Sequence, residues 1–387
     1  MRINICGDFT TMGEGMKSVL QGTALSTEIV KLFQESDLNI VNFESPVVAD
    51  KNAAIVKSGP NISTSASTVE YLSRCNVNLV TLANNHFFDY GKHGVTETIN
   101  ALEANSIDHV GGGIGKEEVA NIYYYEKDGI QVAVLNYCET EFSVSPENDF
   151  METGDGIPIG SNQMNPINVY YDLQQAKTDS DFIIVICHGG HEGYRLPSPR
   201  MKKWYRFFID SGANIVCNHH QHCFSGYENY NGGTIYYGLG NFFFDDFRPK
   251  RHKSSIWNYG YIVSIYVDSN GVNSKAIPYK QCLDAKSTVL LNNEELAGFT
   301  QEFEELSDII PDSNRIAEEF KKWCEKQVMN VKTNLSPYNK RIFQALCRHK
   351  MFPSFLGKSK RLKLYNMFRC ESHRDVAIEV LREKNTN

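Results

Sequence analysis

Between Ile3 and Val267 the chain alternates short, β-branched apolar runs with stretches of helical spacing. The runs are Ile3–Cys6, Asn39–Asn42, Leu79–Leu82, Val132–Asn136, Phe182–Cys187, Ile215–Cys217, Ile235–Tyr237 and Tyr261–Val267. Thr27–Glu35, Ser67–Arg74, Gly94–Ala104, Val169–Lys177 and Arg200–Ser211 lie between them and have helical spacing. Continuous apolar runs suit strands covered on both faces, and their alternation with helices suits a sheet flanked on both sides. The expected fold is therefore α/β, with central mixed sheet layers flanked by helices, over residues 1–270. The pattern then changes. Asn293–Ile310 and Asp312–Lys332 have helical spacing and are separated by Pro311, and Leu296, Phe299, Phe303 and Leu306 form one apolar stripe expected to pack as core. Residues 271–387 thus read as a helical C-terminal region with a basic tail.

Composition narrows the class. Of 387 residues, 41% are hydrophobic and 12% aromatic, enough for a packed core and incompatible with global disorder. The ten cysteines show no CxxC pair, and Cys6, Cys138, Cys187 and Cys217 sit in or beside apolar runs, as small buried hydrophobes do in a reduced protein. No secretory leader is visible, and no apolar stretch approaches the roughly 18 residues of a membrane span. The expected location is the cytoplasm.

Charge is segregated. The net charge is −7, yet Tyr338 to Asn387 holds 12 Lys/Arg against 4 Asp/Glu, which leaves −15 on the rest of the chain. Lys340 to Arg369 carries nine Lys/Arg and no acid, interleaved with Phe343, Phe352, Phe355, Tyr365 and Phe368. Such a segment suits peripheral contact with an anionic inner membrane surface or with an anionic polymer, or else a basic face that is solvated or packed on the acidic body. The acidic body argues against nucleic acid as a partner.

Ligand-type residues gather directly after the strands, where sites of open α/β sheets form. Five motifs hold them: Gly7-Asp8-Phe9-Thr10, Asn42-Phe43-Glu44-Ser45-Pro46, Ala83-Asn84-Asn85-His86, His188-Gly189-Gly190-His191-Glu192 and Asn218-His219-His220-Gln221-His222. Gly238-Leu239-Gly240-Asn241-Phe242 follows. Taken singly, Asp8 reads as a turn residue, Glu44 as a surface carboxylate, Asn84-Asn85-His86 as a loop bonded to its own backbone, and His188 as a satisfied strand-end histidine. The histidine cluster resists that reading, because His220 and His222 can converge from an extended loop onto neighbouring metal positions. An oxygen- and nitrogen-rich set without cysteine suits one or two Mn²⁺, Fe²⁺ or Zn²⁺ ions in a hydrolytic site. Gly111-Gly112-Gly113-Ile114-Gly115-Lys116 lacks the spacing of a nucleotide loop and reads as a flexible turn.

In this order the motifs resemble the capsule-synthesis CapA family, also called the poly-γ-glutamate synthesis family, whose domain is similar to calcineurin-like metallophosphoesterases. The resemblance covers about residues 2–246 and includes Asp89-Tyr90-Gly91 and His109-Val110-Gly111-Gly112-Gly113. It implies metal ligation by Asp8, Glu44 (in the place of a bridging Asp), Asn85, His188, His220 and His222. It further implies that His86 assists the leaving group and that Glu192 belongs to the catalytic set. Two departures from the phosphoesterases stand out: Thr10 occupies the position of the usual Asp-x-His histidine, and the bridging Asp has become Glu44, one methylene longer. Within the family's own motif, Gly189 also replaces a Trp. The implied function is a metal-dependent hydrolase of phosphoesterase type, phosphoester- or γ-glutamyl-directed, in capsule or exopolymer synthesis. Its substrate would be an anionic polymer or a phosphorylated small molecule or glycan. The alternative is a non-catalytic, metal-containing accessory subunit that binds an anionic polymer.

Overall fold

The structure is a computed structural model that describes residues 1–55, 57, 60–140, 144, 158–244, 255–269, 271–281, 286–334 and 340–351, together with 356, 357, 360, 361, 364 and 368. The chain forms two compact units, Met1–Ala317 and Glu318–Asn387.

Strands and helices are numbered along the chain. The larger sheet of the first unit contains β1 (Arg2–Thr10), β2 (Leu38–Phe43), β3 (Leu79–Thr81), β4 (Asp108–Val110), β13 (Asn241–Phe244), β14 (Tyr259–Asp268), β15 (Gly271–Gln281) and β16 (Thr288–Leu290). Its order is β16-β15-β14-β1-β2-β3-β4, with β13 also paired to β1. A second sheet runs β11 (Tyr227–Tyr230), β12 (Gly233–Tyr236), β10 (Ile215–His219), β9 (Phe182–His188), β7 (Ile130–Cys138), β6 (Tyr123–Lys127). The short strands β5 (Gly112–Ile114) and β8 (Ile159–Ser161) pair with each other.

The two sheets face one another. Ile3, Ile5, Leu38, Ile40 and Leu79 of the first meet Val132, Val134, Ile184, Ile186, Ile215 and Cys217 of the second in a shared apolar layer. On its other face the first sheet presents Cys6, Phe9, Val41, Phe43 and Val80 to α1 (Gly13–Gln21), α2 (Thr27–Gln34), α3 (Ala66–Arg74) and α4 (Gly91–Ala104), through Val19, Ile29, Phe33, Leu72, Val95 and Leu102. The short α5 (Lys116–Val119) lies against β5, while α6 (Pro166–Asp179) packs on β7 and β9, and α7 (Pro199–Asp210) on β10 and β12. The mixed, helix-flanked sheet layers are those expected from the strand runs. Helix starts follow local chemistry: Ser26 caps α2, and Ser198 followed by Pro199 opens α7.

After α8 (Ser255–Asn258), the first unit continues past the division expected at 270. That division falls in the turn between β14 and β15, which pair from Tyr259–Lys280 to Asp268–Gly271. Beyond them α9 (Asn293–Ile309), opened by the Asn292/Glu295 capping box, stacks Phe299 and Phe303 on Phe224, Tyr227 and Tyr261. Of the expected apolar stripe, Leu306 joins this core, whereas Leu296 remains 38% exposed. The glycine run at 111–115 also differs from the turn expected of it: Gly112–Ile114 is the strand β5.

α10 (Ser313–Asn334) begins in the first unit. Within the second unit α11 spans Arg341–Arg348. Among the described residues no helix is long and apolar enough to cross a membrane.

Candidate metal centre

The carboxyl ends of β1, β2, β9 and β10 come together because parallel pairing keeps each sheet in register, with His188 directly opposite His219. On β1 the register against β2 passes from Cys6/Val41 to Asp8/Asn42, so Gly7 is an extra residue. This bulge re-aims the Asp8 side chain and accounts for Cys6 and Phe9 sharing one face. Only glycine fits there: a Cβ on Gly7 would stand 1.8 Å from the carbonyl oxygen of Gly240.

Asp8, Glu44, His188, His219, His220 and His222 are all buried. Three donor atoms converge from the end of β9 and two loops, since His188 Nε2 lies 2.9 Å from Asn85 Oδ1 and 3.1 Å from His220 Nδ1. A second group forms around Asp8, whose Oδ2 lies 3.4 Å from His222 Nδ1. Glu44 stands between the groups, with Oε1 3.8 Å from His188 Nε2 and 3.9 Å from His222 Nε2. Among the described residues neither Glu44 oxygen has a hydrogen-bond partner. His220 and His222 both adopt left-handed backbone, at φ +83° and +55°, strain that concentrates at functional sites.

Electrostatics follow from burial and crowding. Burial raises the Glu44 carboxyl well above its ordinary range, and the charge of Asp8 adds to this. Burial also pushes Asp8 up, but the hydrogen bond with His222 and the charges of His219 and His188 outweigh it and hold Asp8 low. Burial opposes charge on His222, yet Glu44 and Asp8 prevail and raise it to about 10. His188 is driven well below its usual value by burial and by His220. Two clusters of the type that holds metal are present, Asp8/Glu44/His222 and Asp8/His188/His219. The donor chemistry fits a divalent cation: imidazoles, an amide oxygen, a carboxylate, and a second carboxylate whose buried oxygens lack any other partner among the described residues.

Residues 2–246 match the family described as bacterial capsule synthesis protein PGA_cap. The chain belongs to that family. It is 31% identical over 268 residues to the capsule biosynthesis protein CapA of Bacillus anthracis, covering 67% of this chain and 63% of that protein. It is 30% identical over 229 residues to the PGA biosynthesis protein CapA of Bacillus subtilis (strain 168), covering 59% and 58%. The chain thus spans about three-fifths of the length of these two relatives. A probable polyglutamine synthesis accessory protein of Mycobacterium tuberculosis is 24% identical over 210 residues, covering 53% of this chain and 55% of that one. Among solved structures, a hypothetical protein from Thermus thermophilus gives a TM-score of 0.45 at 13% identity, covering 73% of this chain and 100% of its own.

The remaining sequence candidates fall in different places. His86 is nearly buried, and its Nδ1 lies 2.7 Å from Asp89 Oδ2. Asp89 also accepts from the Ile62 amide at 2.8 Å and pairs with the buried Lys57. Glu192 is exposed in the turn after β9, and among the described residues no hydrogen bond or ion pair joins it to the cluster. Its charge nevertheless contributes to the raised values of Glu44 and His222. Thr10 is turned away into a 2.5 Å hydrogen bond with Ser45. At Gly189 the space a side chain would need is filled by Glu139, clamped by both terminal nitrogens of Arg200 at 2.9 and 2.8 Å.

Several contributors escaped the motif reading. Asn42 donates to Asp8 Oδ1 at 2.7 Å and reaches His188 Nδ1 at 3.2 Å. Asn241 holds His222 Nδ1 at 2.8 Å and lies in the sixth motif, a signal that was available. His219, inside the histidine motif, contacts the Cys6 carbonyl at 3.0 Å. Nothing local marks Lys57.

Proposed function

We propose that this chain is a metal-dependent hydrolase of phosphoesterase type that acts in making a capsule or other exopolymer. The observation that carries this reading is Glu44, a carboxylate with both oxygens buried and, among the described residues, without a hydrogen-bond partner, between two groups of metal-type donors. Such a group left alone costs several kcal/mol, and a shared cation removes that cost. Asp8, His222 and Glu44 would hold one ion, and Asn85, His188, His220 and the same Glu44 the other. When bound, a divalent cation supplies Lewis acidity and makes water a usable nucleophile at neutral pH.

The chain's own residues supply the rest. Asn42 fixes Asp8 and His188 relative to each other. Asp89 engages His86 at Nδ1, which leaves Nε2 as the nitrogen for proton exchange with a leaving group. The substrate class is an anionic polymer or a phosphorylated small molecule or glycan, attacked at a phosphoester or a γ-glutamyl amide.

A second reading has its own support. Thr10 is committed to Ser45, so the subsite around Asp8 has one imidazole from His222 and none from position 10. Weak holding at that subsite favours a metal-containing accessory subunit that binds an anionic polymer, and the Mycobacterium tuberculosis relative carries the word accessory in its name. Elemental analysis after Mn²⁺ or Zn²⁺ loading, followed by a phosphoester and γ-glutamyl substrate panel, separates the readings. Metal with turnover supports the hydrolase; metal without turnover on any substrate, joined to polymer binding, supports the accessory subunit; absence of tight metal sinks both.

A further inference from the structure

The second compact unit carries a feature that the metal centre does not use. From Lys340 to Met351 the cations Lys340, Arg341, Arg348 and Lys350 are all exposed, as are Lys360 and Arg361 beyond them. Among the described residues none of these six forms an ion pair. The same stretch exposes large apolar side chains: Ile342 at 67%, Met351 at 71% and, further on, Phe368 at 52%. α11 orders the two kinds of surface. Ile342 and Leu346 lie one turn apart on one side, Arg341, Ala345 and Arg348 on the other, and no residue of the helix is buried.

We propose that this stretch, led by α11, is a docking surface for an anionic lipid bilayer. Charge complementarity favours an anionic partner, because the sequence from 340 to 369 has nine cations and no acid of its own to neutralise them. The exposed apolar side chains decide between anionic partners. A carboxylate polymer or a nucleic acid satisfies the cations and leaves Ile342 and Met351 in water. A bilayer takes both, with headgroups meeting the cations while the apolar side chains enter the boundary of the acyl chains. The proposal does not depend on catalysis or on metal, and it places the acidic first unit on a chain tethered at its basic end.

The test uses the full chain and sedimentation with vesicles of phosphatidylcholine, pure or with roughly one-third phosphatidylglycerol. Binding is expected only to the anionic vesicles, and it should weaken steeply as salt is raised. Arg341→Glu/Arg348→Glu and, separately, the charge-neutral Ile342→Ser/Met351→Ser should each weaken it at least tenfold without changing the thermal melting of the protein. Full-length protein that ignores anionic vesicles at low salt overturns the proposal. So does an Ile342→Ser/Met351→Ser pair that binds no worse than an Arg341→Lys/Arg348→Lys control, since a purely electrostatic contact is what poly-γ-glutamate or RNA would make.

Discussion

Lys57, its side chain only 3% exposed, closes an ion pair on Asp89, whose other oxygen is 2.7 Å from His86 Nδ1. The pair joins the loop before α3 to the turn that follows Asn85. Removing one partner of a buried pair strands the other charge, typically at about 3–5 kcal/mol. Asp89 keeps the Ile62 amide and His86, so Lys57→Met should cost near the lower end, about 3 kcal/mol, in denaturant unfolding. The double variant Lys57→Met/Asp89→Asn should recover part of that loss, and strict additivity would show that the two residues do not interact.

Glu44→Gln should move two quantities in opposite directions. Metal uptake should fall sharply in elemental analysis, because the shared carboxylate is gone. The metal-free protein should become more stable by roughly 1 kcal/mol, about 2–4 °C in melting temperature, as a crowded acid gives way to a neutral amide. A variant that still loads metal as well as the parent removes Glu44 from the ligand set.

Asn85 and His86 are neighbours that should fail differently. Asn85→Ala should weaken metal retention, and added metal should partly restore any lost activity. His86→Ala should leave metal content unchanged yet slow turnover by on the order of 10²–10⁴, the usual worth of a positioned general acid. The deficit should shrink on a substrate whose leaving group needs no proton. Metal loss in His86→Ala would make the ring a ligand.

Gly7→Ala tests the bulge. A methyl group there meets backbone, the Gly240 carbonyl, so the clash cannot be relieved by a rotamer change. The variant should lose about 3 kcal/mol or more and, where it folds, should bind metal more weakly because Asp8 is displaced. Urea unfolding and metal titration read the two effects separately.

The strands that carry the centre were legible because they are buried on both faces and so read as unbroken apolar runs, as in Phe182–Cys187. β15 was not, since its sequence GVNSKAIPYKQ is half-buried and polar, and only pairing with β14 makes it a strand. At the site, the ligand-type side chains Asp8, Glu44, Asn85, His188, His220 and His222 occur in motifs at strand ends, and the fold gathers them. Asn42 sits within a motif but reads as an ordinary strand residue until it is seen 2.7 Å from Asp8. Lys57 and Asp89 are 32 residues apart, and no local pattern announces which cation a loop carries to which acid. Glu192 shows the opposite limit, because a motif position fixes neighbourhood but not which way an exposed turn points its carboxylate.

The centre draws Asp8 and Glu44 from one sheet and His188, His220 and His222 from the other, across the layer where Ile3 and Ile5 face Ile184 and Ile186. A cation at this position would act as a rivet through two plates that meet in an apolar layer crossed by polar bridges such as Asn42–His188 and His219–Cys6. Ions that bind the folded form alone stabilise it by mass action. Metal supply would then govern the lifetime of the protein as well as its chemistry, with the ion-free chain being the form that opens first to proteolysis.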